Sequence, residues 1–116
     1  MKGLLIAALF AAFASGPLYA DCAVPDSTVQ IPDGATATKE EMIAAHKAVE
    51  AFNVAVKAYS DCLAQEQADK VAAGGDKIKL QAEYAGLNNA QVDKVQALAD
   101  KFNTELKAYN AAKAGS

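Results

Sequence analysis

The chain has 116 residues, 53% of them hydrophobic, with a formal charge of −3, eleven lysines and neither arginine nor tryptophan. That length suits a single domain. Without arginine there is no bidentate fork for phosphate or base edges, and the net acidity repels polyanions, so nucleic acid is excluded as a partner.

Met1 and Lys2 are followed by an uncharged apolar run from Leu4 to Ala14, then Ser15, Gly16 and Pro17. One positive charge, a short apolar stretch and a helix-breaking pair predict a secretory signal peptide over residues 1–20, cut after Ala20. A cut after Ala14 or Ser15 is the alternative. A retained anchor is disfavoured, because a spanning helix needs about 20 apolar residues and this run breaks sooner. Lipidation of Cys22 is disfavoured by the acidic Asp21 where a small residue is expected. Removing residues 1–20 leaves 96 residues, with ten lysines against fourteen acids. No later segment is apolar enough to span a bilayer, so the mature product is expected to have no membrane span and to be periplasmic or secreted.

Cys22 and Cys62 are the only cysteines. In an oxidising compartment such a pair normally closes, and one intrachain pairing exists. Two free thiols or an intermolecular bridge are the alternatives. A redox-active pair is disfavoured, because the Cys-x-x-Cys spacing is absent.

Residues 21–37 carry Pro25, Pro32 and the turn formers Asp26, Ser27, Asp33 and Gly34, with apolar Val24, Val29 and Ile31 between them. The prolines exclude a helix interior, so an extended arm is expected. Thr38 followed three residues later by Glu41 is a capping box, and Glu40 and Glu41 suit the positive end of a helix dipole. From there Met42, Ala45, Val49, Phe52, Val56, Tyr59 and Leu63 recur in steps of three and four, one face of a helix. This first helix is expected over about 39–73, ending at Gly74 and Gly75. Asp76 can cap a shorter helix over 76–86, which Gly86 and Asn88 would end.

A third helix is expected over 89–113, with Val92, Val95, Leu98, Ala99, Phe102, Leu106 and Tyr109 on its apolar side. The stretch from Phe102 to Asn110 echoes that from Phe52 to Ser60 at an offset of 50 residues, with Phe, Asn, Lys, Ala and Tyr keeping their spacing. The predicted architecture is all-α: an antiparallel helical hairpin or a three-helix arrangement over residues 38–113, with an extended N-terminal arm tied by one disulfide. Geometry permits the tie. Thr38 to Cys62 spans about 36 Å of helix, while the arm from Cys22 reaches roughly 53 Å when extended. A Cys22–Cys62 bond would lay Val24, Val29 and Ile31 beside the first helix.

Chemistry is sparse. His46, the only histidine, has Met42 and Glu50 one turn away on either side, but zinc sites need three or four ligands, so no metal site is expected. No nucleophile is paired with a base on a loop scaffold, no phosphate-cradling glycine motif is present, and no catalytic residues are assigned. The protein is expected not to be an enzyme and to need no cofactor. Phe52, Tyr59, Phe102 and Tyr109 form an aromatic set at helical spacing, read first as core and second as ligand or partner contacts. His46, Asn53, Ser60 and Gln67, seven apart, flank the apolar stripe. Ala44, Ala45, Ala48, Ala51, Ala55 and Ala58 permit close helix approach.

The order of signal peptide, early Cys22, Pro25 and Pro32, the run Ala35 to Met42, and then Tyr59, Cys62 and Leu63 resembles small exported helical proteins of Gram-negative bacteria, a group of uncharacterised function. The resemblance covers the first half of the mature chain and implies no activity. The expected role is protein–protein contact in the periplasm, with an unknown partner or by self-association. A carrier of a small apolar or aromatic ligand between helices is the alternative, and a weak metal-binding envelope protein the second.

Overall fold

A computed structural model describes residues 22–115. The signal-peptide reading of residues 1–20 lies outside them. The described residues form two long helices and no strand: α1, Lys39–Ala72, and α2, Lys77–Ala114.

Both helix starts follow local chemistry. The Thr38 hydroxyl accepts from the Glu41 amide at 3.1 Å, and the Thr38 amide donates to the Glu41 carboxylate at 3.0 Å, closing the capping box. The Asp76 carboxylate accepts from the Ile78 and Lys79 amides, each at 3.1 Å. Between them α1 ends in a Schellman turn. Gly74 takes the left-handed conformation at φ 98°, its amide donates to the Val71 carbonyl, and the Gly75 amide donates to the Lys70 carbonyl. Only residues 73–76 separate the helices, which turns the chain back on itself as a hairpin.

Two helices form where three were possible. The break expected at Gly86–Asn88 is absent, and α2 runs through it. A helical glycine costs about 1 kcal/mol relative to alanine, but Tyr84 on one side of it and Gln91 on the other are both buried in the hairpin. The Ser60 hydroxyl also hydrogen-bonds the Asn88 side chain across it. Asn88 therefore serves as a cross-helix contact, not as a cap.

The core is a single seam with two clusters. Near the free end of the hairpin Ala37, Met42, Ala45 and Phe102 pack together, flanked by Ile31, Val49, Leu106 and Tyr109. Nearer the turn Tyr59, Leu63 and Tyr84 form the second cluster, flanked by Cys22 and Leu80. Two helices cannot enclose a side chain completely, and no large side chain among the described residues is fully buried.

The arm completes the seam. Cys22 is bonded to Cys62 at 2.03 Å, with Cα atoms 5.7 Å apart, so the chain enters beside the second cluster and runs back to the first. Asp33 turns it there: its side chain accepts from Ala35 and its carbonyl from Thr36 and Ala37. Val29 and Ile31 are half-buried as expected, but Val24 is 62% exposed and Pro25 is buried in its place.

Candidate functional site

Among the described residues, one groove lies between the arm and α1 and another opens at the free end of the hairpin, and they share no lining residue. The arm-side groove is the larger of the two, about 650 Å³. Ala44, Ala48, Ala51 and Ala55, spaced by four and three residues, floor it, while Val29, Ile31 and Pro32 of the arm wall it and Phe52 closes its depth. The helix supplies this floor because its bulky residues point into the hairpin, leaving methyl groups on the adjoining face. Glu41 and Asp26 stand at its margin, each already accepting hydrogen bonds, from Thr38 and Thr28 respectively.

The smaller groove, about 390 Å³, opens at the free end of the hairpin. Met42, Ile43, Phe102, Leu106 and Tyr109 line it, with His46, Lys39, Lys47 and Glu50 around them. The His46 ring lies 5.6 Å from that of Phe102 at 49°, and its Nε2 is 3.6 Å from a Glu50 oxygen.

The four aromatic residues singled out from the sequence do not converge. Phe52 is buried beneath the arm-side groove, Tyr59 lies in the cluster near the turn, and Phe102 with Tyr109 lines the free-end groove. Antiparallel packing explains the separation, because it runs the second copy of the Phe–Tyr pattern in the opposite direction to the first. Cys22 and Cys62 are bonded. Of the polar line, His46 and Asn53 face solvent, while Ser60 contacts Asn88. Among the described residues no three His, Cys, Asp or Glu side chains are grouped to hold a metal ion.

A polar cluster sits beside the disulfide. Lys70 Nζ lies 5.2 Å from the centroid of the Tyr84 ring and 4.0 Å from Glu66, and a Glu66 oxygen lies 3.9 Å from Cys22 Sγ. Burial pushes the Tyr84 hydroxyl above its usual value, with the hydrogen bond to Lys70 acting against that shift. The same hydrogen bond raises the Lys70 ammonium. Nothing local in the sequence marks Tyr84 as a tyrosine that will be buried.

Among the described residues no helix is long and apolar enough to cross a membrane, and the disulfide fits an oxidising compartment. No family model, no curated protein and no solved structure matches this chain.

Proposed function

We propose that the protein is a non-enzymatic exported module that works by protein–protein contact, seating a helix of a partner or of a second copy on the arm-side face of α1. The observation that supports this is the exposed alanine floor beneath the arm. Ala44, Ala51 and Ala55 are exposed and Ala48 is half-buried, in a groove with apolar walls. Methyl-sized side chains let a second backbone approach to the roughly 8 Å end of the helix-packing range. The arm, tied at Cys62 and turned at Asp33, gives that face a fixed edge.

A photo-reactive residue at Ala51, introduced in the producing cells, tests the reading. A discrete adduct, mapped by mass spectrometry to one partner peptide and abolished by Ala48→Trp with unchanged circular dichroism, is the expected result. A strict monomer with no adduct would count against it.

A further inference from the structure

The free-end groove lies apart from the contact face just proposed and has a different chemistry. We infer that it binds a small aromatic carboxylate. Its volume, about 390 Å³, falls within the range of roughly 300–1,000 Å³ common to ligand sites. Its floor is apolar: Met42 and Phe102 are buried, Leu106 and Tyr109 half-buried, and Ile43 is 45% exposed with no cover.

The floor favours a ring. The rings of Phe102, Tyr109 and His46 and the thioether of Met42 line the groove; His46 is exposed and Tyr109 half-buried, so these two present ring surface, while Phe102, its centroid 5.6 Å from that of His46, is buried. Such contacts favour an aromatic body over an alkyl one of equal area by roughly twofold to tenfold.

The rim favours an anion. Lys39 and Lys47 border the groove, and neither belongs to an ion pair among the described residues. The one carboxylate there, Glu50, lies against His46. On a chain whose net charge is −3, this locally cationic border departs from the average surface. A carboxylate held above the rings and facing Lys39 and Lys47 satisfies both features.

The test is titration of the disulfide-bonded, isotope-labelled mature protein with 2-naphthoate, 2-naphthylmethylammonium and decanoate, followed by NMR. Saturable binding of 2-naphthoate is expected, with shifts centred on Met42, Ile43, His46, Phe102, Leu106 and Tyr109. The ammonium compound and decanoate should both bind more weakly. Lys39→Gln with Lys47→Gln should cost 2-naphthoate about fivefold or more, the scale of one to two exposed ion pairs, and remove the preference over the ammonium. Leu106→Trp, which fills the groove, should abolish binding while circular dichroism stays unchanged. Equal binding of the ammonium, tighter binding of decanoate, shifts centred on the arm-side groove, or no saturation by about 10 mM would overturn the assignment.

Discussion

Gly34 of the arm rests on the main chain of α2 at Glu105, so closely that a β-carbon built at Gly34 would lie 1.7 Å from the Glu105 carbonyl oxygen and 3.0 Å from the Tyr109 amide nitrogen. Backbone cannot swing aside as a side chain can, so Gly34→Ala must lift the arm from the hairpin. A loss of about 1–3 kcal/mol is expected from such overpacking. Gly86 is the contrast: a β-carbon there meets nothing within 4 Å, and the residue sits inside a helix. Gly86→Ala should add about 0.5–1 kcal/mol. Urea denaturation of the two variants should therefore give shifts of opposite sign.

The Cys22–Cys62 bond closes a loop with a sequence separation of 40, worth about 4 kcal/mol in the chain-entropy model. Set against a typical domain stability of about 5–15 kcal/mol, that is a large fraction. Cys22→Ser with Cys62→Ser should lower the urea midpoint accordingly and raise amide exchange across residues 23–32. A change below about 1 kcal/mol would show that the arm is held by packing alone.

Gln91 is only 5% exposed, and its Oε1 has no hydrogen-bond partner among the described residues. The antiparallel register set by Ser60 with Asn88 and by Ala45 with Phe102 places it level with Val56. A buried unpaired acceptor costs about 1–3 kcal/mol, so Gln91→Leu, similar in volume, should stabilise the hairpin. A loss of stability on denaturation would reveal an ordered water serving that oxygen.

Tyr84 and Lys70 make the stability sensitive to alkali. Burial raises the tyrosine above its ordinary value of 10.0, and the hydrogen bond to Tyr84 raises the lysine above 10.5. Both groups hold their protons more tightly folded than unfolded. Their contribution is therefore complete below about pH 10 and falls as the pH rises through the raised values. Urea midpoints measured from pH 8 to about 11.5 should decline at the alkaline end, and Tyr84→Phe should flatten that decline. An unchanged slope would remove the pair from the account.

The start of α1, its buried stripe and its end at the paired glycines were all legible in the sequence. Met42, Ala45, Phe52, Val56, Tyr59 and Leu63, six of the seven stripe residues, are buried, and Val49 is half-buried. The continuity of α2 was not legible, because Gly86 and Asn88 are local stop signals that lose to the packing of Tyr84 and Gln91 on α1. The spacing marks the aromatic residues but does not show where each one lies. Lys39, Ile43 and Lys47 carried no signal before the helices were paired, because the free-end groove combines the start of α1 with the end of α2.

Caps, turns and the three-and-four spacing of apolar residues are properties of neighbours along the chain and can be read before any fold exists: where α1 begins, where it ends, which of its faces is buried, and that a single intrachain cysteine pairing is available. Which surfaces remain open was decided only when the helices docked. A groove exists where two segments far apart in sequence fail to cover the same space, and that depends on register and on the path of the arm. The alanine floor and the lysine-rimmed aromatic pocket are therefore products of tertiary packing.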